Sequence, residues 1–202
     1  MTKLEIIYST EAEIERVKFT LGKLDWYAEK GYKVILPAGL SQSSTEQEIE
    51  AAVMKEYSTG NDYQKYSEEI SRLWQEFASQ FEEIKTSSEL SLQDTYKIIL
   101  TKYGTGGSYH TADQSIDVKF TDREVSSIFG TILHEIVHLA VEPLIKLQQI
   151  EHRQKERLVD LIGLTYFPDK RKVQPPKEDV VKVDEVFHKY FPNIKEVIKN
   201  LD

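Results

Sequence analysis

The sequence predicts an α+β fold, and three observations lead to this class. Strand-like segments stand near the N-terminus and again between residues 95 and 120, with helical segments between and after them. The longest helical segments are amphipathic or apolar, so they can cover a sheet. The chain has 202 residues, of which 40% are hydrophobic, and can therefore bury a core as one compact domain.

Residues 1–90 are predicted to form a mostly helical α/β portion. The run "KLEIIYS" is predicted as a strand and "GYKVILPAG" as a second one. Capping-box spacings, Thr10 with Glu13 and Thr45 with Glu48, predict the starts of two helices, the first over residues 10–30. A longer amphipathic helix over residues 62–85 presents an apolar face made of Ile70, Leu73, Trp74, Phe77, Phe81 and Ile84.

Residues 91–202 begin with strands and end with helices. "TYKIILTKY" and "SIDVKF" are predicted strands, and "GTGG" between them is predicted as a hairpin turn. A buried helix follows over residues 121–142, with a capping-box spacing of Thr121 and Glu124 at its start and Pro143 at its end. A second helix starts at that proline. A loop is expected at "PDKRKVQPPKEDV", and one or two short helices close the chain around Pro192.

Composition and charge exclude several classes of protein. The net charge of -8 argues against a general nucleic-acid binder, because neutralising phosphates needs a basic surface. The chain has no cysteine, so any metal must be held by His, Asp and Glu. The N-terminus lacks the pattern of a signal peptide, and no apolar stretch reaches the roughly eighteen residues of a membrane span. These features predict a soluble cytoplasmic protein without a nucleic-acid or membrane partner.

The stretch with the most chemical content is "TILHEIVHLAVEP", residues 131–143. His134 and His138 are four residues apart, so on a helix they share one face and can bind one tetrahedral metal at roughly 2 Å. Glu135 is rotated by about 100° from His134 and can act on a water as general base instead. The other positions are apolar: Ile128, Phe129, Ile132, Leu133, Ile136, Val137, Leu139 and Val141. A bound cation offsets the free energy of burying three ionisable groups there, so the sequence predicts one Zn²⁺ per chain.

The segment "TILHEIVHLA" resembles the active-site helix of the zincin metallopeptidases. The likeness includes Thr131, three residues before the first histidine, and the uncharged residues between the two histidines. It is specific over residues 131–140 and looser over residues 96–164. It implies a zincin-like fold with a small mixed sheet, an active-site helix and a second ligand-bearing helix, in which residues 91–202 form the catalytic portion. Residues 1–90 would then be a sheet scaffold or a cap.

The third metal ligand separates the branches of the zincins. The glycine and third histidine of the metzincin pattern do not follow His138. The gluzincin branch takes a glutamate from a second helix and has an aspartate one turn later that orients a zinc-bound histidine. By that resemblance, "KERLVDLIG" supplies Glu156 as the ligand and Asp160 as the partner of a histidine. The competing candidates for the third ligand are His152, Asp160 and Glu151.

The gluzincin resemblance implies zinc-dependent hydrolysis of a peptide or protein substrate, with Glu135 as the general base. The segment "SYHTADQSIDVKF" is the candidate for the edge strand that pairs with an extended substrate. The candidates for stabilising the oxyanion are Tyr109, His110, Tyr166, His188 and Tyr190.

Two alternatives to a peptidase stay open at this point. The first is a zinc-binding, zincin-like protein without peptidase activity, acting as a regulatory or interaction module. The second is a metal-free protein in which the helix over residues 121–142 is only part of the core.

Overall fold

The computed structural model describes residues 1–57, 62–168 and 180–201. These residues form four strands and eight helices, so the predicted α+β class is confirmed. The strands are β1 (Lys3–Ile7), β2 (Thr95–Thr101), β3 (Gly107–His110) and β4 (Ser115–Lys119). The helices are α1 (Thr10–Leu21), α2 (Leu24–Glu29), α3 (Glu46–Tyr57), α4 (Asp62–Ser87), α5 (Val125–Gln148), α6 (His152–Tyr166), α7 (Val181–Tyr190) and α8 (Ile194–Lys199).

The strands form one mixed sheet in the order β1-β2-β4-β3. β1 runs parallel to β2, and β2 runs parallel to β4. β3 pairs with β4 in the antiparallel direction and lies at one edge of the sheet. Because β1 belongs to residues 1–90 and pairs with β2, both portions of the chain contribute to the same sheet.

The core lies on one face of the sheet, against α4 and α5. Alternate residues of β2 and β4 point to that face, as the two-residue period of a strand requires. The aromatic stripe of α4 packs there as predicted, with the ring centroids of Trp74 and Phe77 6.4 and 5.9 Å from that of Phe129 in α5. The strand residues of this core are Tyr96, Ile98, Leu100, Ile116 and Val118. Helix α5 therefore packs against both the sheet and α4.

The opposite face of the sheet contacts α1. There Arg16 pairs with Asp117 of β4 at 3.2 Å. Glu13 is buried in the same helix and accepts hydrogen bonds from the hydroxyl of Tyr63 and from the backbone N–H of Lys102, the latter at 2.6 Å. These ionisable groups connect α1 to the strands and to α4, while α5 lies on the other side of the sheet.

Several predicted boundaries in residues 1–90 are wrong. The helix over residues 10–30 is interrupted at Gly22, a residue with low helix propensity, and divides into α1 and α2. The cap of α1 is Ser9, whose hydroxyl accepts from the N–H of Ala12 at 3.1 Å, and not Thr10. The predicted second strand reduces to a single bridge between Ile35 and Gly104. The capping box of Thr45 and Glu48 is confirmed.

Three predictions in residues 91–202 are also wrong. "GTGG" does not join two neighbouring antiparallel strands, because β2 and β4 are parallel and the chain between them contains β3. The predicted capping box of Thr121 and Glu124 does not form, because the hydroxyl of Thr121 donates to the carbonyl of Lys102 at 2.9 Å. Helix α5 begins later, at Val125, without a side-chain cap. Pro143 lies inside α5, which continues to Gln148. Most of the expected loop at residues 168–180 lies outside the described residues.

Helix α5 is long and apolar enough to pass for a membrane span, contrary to the expectation that no stretch reaches that length. Its most apolar window has a mean hydropathy of 1.5. However, 78% of that window is buried inside the fold. Such burial is that of a core helix and is consistent with the expected solubility.

Candidate metal centre

Helix α5 places His134 and His138 on one face, as their four-residue spacing predicts. The two rings are nearly perpendicular, at 87°, with centroids 4.6 Å apart. Their Nε2 atoms face each other at 3.1 Å. His138 is only 2% exposed in its side chain, so this pair of nitrogen atoms lies at the edge of the hydrophobic core.

Helix α6 packs against α5 and brings Glu156 to the two histidines. One carboxylate oxygen of Glu156 lies 3.5 Å from Nε2 of His134, and the other lies 3.4 Å from Nε2 of His138. A tetrahedral zinc ion with bonds of about 2.0–2.1 Å separates its ligand atoms by about 3.3–3.4 Å. The two nitrogen–oxygen distances, each to a different oxygen atom of Glu156, are close to that separation.

The Glu156 side chain remains 38% exposed, so the donor group opens towards solvent on one side. Burial by itself would raise the pKa of Glu156, but hydrogen bonds and positive charge from His134 and His138 outweigh burial and lower it. Glu156 is therefore an ionised carboxylate that faces two imidazoles. Two imidazole nitrogens and one carboxylate oxygen are a donor set that binds zinc and leaves a fourth position open.

Asp160 lies one turn beyond Glu156 on α6, on the side of His134. Its Oδ1 atom is 3.7 Å from Nδ1 of His134, which is longer than a hydrogen bond but within ion-pair range. This is the position from which a carboxylate orients a metal-binding imidazole. The structure thus places Asp160 beside His134, and its role in orienting that histidine stays a prediction.

The other candidates for third ligand take different positions. His152 lies beside Glu156, with its Nδ1 atom 3.7 Å from Oε1, and packs edge-on against Trp26. Glu151 is exposed and precedes α6, where its backbone N–H donates to Gln154 at 3.3 Å. Among the described residues, the group that could hold a metal ion consists of His134, His138 and Glu156.

Edge strand β3 contributes an aromatic ring to the site. The ring of Tyr109 is stacked on that of His138, with centroids 4.9 Å apart and planes at 11°. The Tyr109 hydroxyl donates to buried Glu142 of α5 at 2.6 Å and accepts from Lys155 of α6 at 2.9 Å. Burial has the largest effect on the pKa of Tyr109 and raises it, and the hydrogen bond to Glu142 raises it further. The ring that covers His138 is thus held from three elements.

Glu135 is buried between α5 and β3, next to Gly107. A Cβ atom placed on Gly107 would lie 2.8 Å from Oε1 of Glu135 and 2.6 Å from Cγ2 of Thr131. Only a glycine therefore allows β3 to approach this carboxylate so closely. Glu135 lies next to the edge of the sheet where an extended chain could pair.

Four of the five candidates for stabilising an oxyanion contact other parts of the fold. His110 points to the opposite face of β3, where its Nε2 atom is 3.0 Å from Asp117. The remaining three pack around the C-terminal helices: Tyr166 against Phe167 and Phe191, His188 against Phe187, and Tyr190 beneath Lys189. Tyr109 is the candidate that the structure brings to the histidines.

The aromatic residues that follow α1 were not predicted to lie near the histidines. Trp26 packs against His152, and Tyr32 is stacked on Trp26 with centroids 5.6 Å apart. Burial has the largest effect on the pKa of Tyr32 and raises it, and the charges of Glu156 and Glu135 raise it further. The available signal was Gly31, a helix-ending residue with aromatic residues before and after it.

Comparisons with known proteins found no matching family model, no matching curated protein and no matching solved structure. The side chains of α5, α6 and β3 are therefore the basis for inferring a function.

Proposed function

We propose that this protein is a zinc-dependent metallopeptidase with a zincin-like fold. The observation that carries the proposal is the triangle of donor groups formed by His134, His138 and Glu156, with the carboxylate of Glu135 buried beside it. A purely structural site has no need for an additional buried carboxylate next to an open side. A hydrolytic site does, because a base must take a proton from the attacking water.

The donor set favours zinc as the metal. Imidazole nitrogen and carboxylate oxygen bind several first-row ions, and zinc binds such sites more tightly than manganese or iron(II). The distances of 3.1, 3.5 and 3.4 Å, which join the two Nε2 atoms to each other and each of them to a different oxygen of Glu156, are close to those of tetrahedral coordination. The two histidines and Glu156 would supply three of the four ligands of a tetrahedral ion and leave its fourth position open.

The residues around the metal would divide the work of hydrolysis between them. A bound zinc ion supplies Lewis acidity, which polarises a carbonyl group and lowers the pKa of water. Glu135 takes the proton from the water as it attacks the peptide carbonyl, and then donates that proton to the leaving amine. Asp160 orients His134, and Tyr109 keeps the ring of His138 in place.

Strand β3 would align the substrate. It lies at the sheet edge on the side of Glu135, and the unpaired edge of a strand can hydrogen-bond an extended peptide. The substrate backbone would then run past Gly107, beside the carboxylate of the general base. This arrangement supports a peptide or protein as the substrate.

The alternative is a zinc-binding protein of the same architecture without peptidase activity, serving as a regulatory or interaction module. The Glu135→Gln variant distinguishes a peptidase from a zinc-binding protein without peptidase activity. We expect wild-type protein and the Glu135→Gln variant to bind one zinc per chain, measured by elemental analysis. Turnover of a peptide library should fall by a factor of about 10² to 10⁴ in the variant.

The matched control is Glu124→Gln, which changes an exposed carboxylate at the start of the same helix and should keep full turnover. Equal turnover in wild type and Glu135→Gln would exclude Glu135 as the base. Zinc binding without cleavage of any peptide by the wild type would favour the non-peptidase alternative. A chain that takes up no zinc would exclude both functions.

A further inference from the structure

Three aromatic residues from the segment between α1 and α3 form a cluster beside the metal centre. Trp26 and Tyr32 are stacked, with centroids 5.6 Å apart and planes at 20°. Tyr27 contacts both of them edge-on, at 5.3 and 6.0 Å. Tyr27 is buried, whereas Trp26 and Tyr32 remain 41% and 44% exposed. The cluster therefore has one anchoring ring and two rings that face solvent.

The end of helix α2 holds this cluster in shape. The N–H of Tyr32 donates to the carbonyl of Tyr27 at 2.9 Å, and the N–H of Gly31 donates to that of Ala28 at 3.1 Å. Gly31 has a φ of +72°, in the left-handed region. Together these are the two bonds and the glycine of a Schellman motif, which brings the residue after the glycine against the last turn of the helix. The stack is thus ordered before any ligand arrives.

The stack lies next to the third ligand of the proposed metal centre. Trp26 packs edge-on against His152, with centroids 6.2 Å apart, and His152 in turn lies 3.7 Å from a carboxylate oxygen of Glu156. The charges of Glu156 and Glu135 also raise the pKa of Tyr32, after the larger effect of burial. The stack of two exposed aromatic rings therefore lies beside the donor group, on the side of His152 and Glu156.

We infer that the Trp26–Tyr32 stack binds an aromatic or large aliphatic side chain of a peptide held at the metal centre, and so selects the substrate. This inference rests on the proposed function, because it assumes that peptides bind beside Glu156. Trp and Tyr contribute large apolar faces with few rotatable bonds, and such residues dominate the energy of many binding sites. The ordered motif at Gly31 lowers the entropy lost on binding. Residues 1–90 then supply the selectivity and residues 91–202 the chemistry.

The test measures binding separately from cleavage. Zinc-loaded Glu135→Gln protein is titrated calorimetrically with blocked peptides that are identical except for one central residue, Phe, Leu or Ala. We expect the Phe and Leu peptides to bind at least about tenfold more tightly than the Ala peptide. Adding Trp26→Ala, or in a second variant Tyr32→Ala, should reduce this preference to less than about threefold and leave the affinity for the Ala peptide unchanged.

Tyr8→Ala is the matched control, because Tyr8 is an exposed ring stacked on Tyr63 beyond the far strand of the sheet, β1. It should keep the full preference. An unchanged preference in both Trp26→Ala and Tyr32→Ala would overturn the inference, as would equal affinities for all peptides in the parent. Failure of the proposed function has a different signature, since wild-type protein would then bind the Phe peptide selectively without cleaving it.

Discussion

The ring of Tyr109 is stacked on the ring of His138, with planes at 11° and centroids 4.9 Å apart. The Tyr109 hydroxyl donates a hydrogen bond to Glu142, which follows His138 by one turn of α5. This contact restricts the orientation of the buried imidazole of His138, whose Nε2 atom faces His134 and Glu156. Residues that orient a ligand histidine change metal affinity by about 10- to 100-fold when they are replaced.

We therefore predict that Tyr109→Leu lowers zinc affinity about tenfold or more, and that Tyr109→Phe, which keeps the ring, lowers it less. Competition titration against a chelating dye measures both values. Tyr103→Phe is the control, because it removes a similar hydrogen bond, from Tyr103 to Glu56 at 2.6 Å, away from the metal-binding helices. Equal zinc affinity in Tyr109→Leu and wild type would show that the stack does not position His138.

Gly107 allows strand β3 to approach the carboxylate of Glu135. In Gly107→Ala the new methyl group would lie within 3.0 Å of both Glu135 and Thr131, so the carboxylate has to move. If the protein is a peptidase, we expect turnover to fall by roughly a hundredfold with zinc affinity unchanged, because small misplacements of catalytic groups have effects of this order.

The adjacent glycine provides the control for this substitution. A Cβ atom on Gly106 meets nothing within 4 Å, so Gly106→Ala should retain its turnover. Steady-state kinetics and a zinc titration on the two variants distinguish a local effect at Glu135 from a general loss of structure. A Gly107→Ala variant as active as Gly106→Ala would contradict the assignment of Glu135 as the base.

Three residues of the segment at 151–156 compete to be the third ligand, and affinity measurements can distinguish them. We predict that Glu156→Ala weakens zinc binding by more than about a hundredfold, the upper end of the effect known for outer-shell partners. His152→Ala should have a smaller effect, since its ring contacts the carboxylate of Glu156 rather than the histidine nitrogens. Glu151→Ala should match wild type. If His152→Ala weakened zinc binding by more than about a hundredfold and Glu156→Ala had the smaller effect, His152 would be the ligand.

The stability of the fold should depend on pH through Glu13. Burial raises the pKa of Glu13 from 4.5 to about 7, against the lowering effect of hydrogen bonds from Tyr63 and from the backbone of Lys102. Between these pH values the folded protein keeps a proton that the unfolded chain has released. The contribution to stability is therefore complete below pH 4.5 and is lost as the pH rises through about 7, by roughly 3 kcal/mol at most.

We predict that Glu13→Gln, which is neutral at every pH, reduces this loss. Urea titrations at about pH 5 and about pH 8 give the free energy of unfolding of both proteins. Glu15→Gln changes an exposed carboxylate of the same helix and should keep the wild-type difference between the two pH values. A wild type with equal stability at both pH values would contradict the raised pKa.

The sequence by itself determined the helix that carries His134 and His138. The spacing of His134 and His138 and the apolar residues around them require a buried helix with both imidazoles on one face, because 3.6 residues per turn leave no other arrangement. The long amphipathic helix α4 followed from its period in the same way. Helix starts were harder to place, since Ser9 and Thr10 are both good capping residues and the packing of Glu13 decided between them.

Tertiary structure decided which distant groups meet those histidines. The identity of Glu156 as neighbour, in preference to His152, depends on how α6 packs on α5, which local propensity does not encode. The stacking of Tyr109 on His138 depends on β3 lying antiparallel at the sheet edge, and the position of Trp26 depends on the break at Gly22 and the turn at Gly31. These contacts join residues far apart in the chain, so the physical cause is the packing of whole elements.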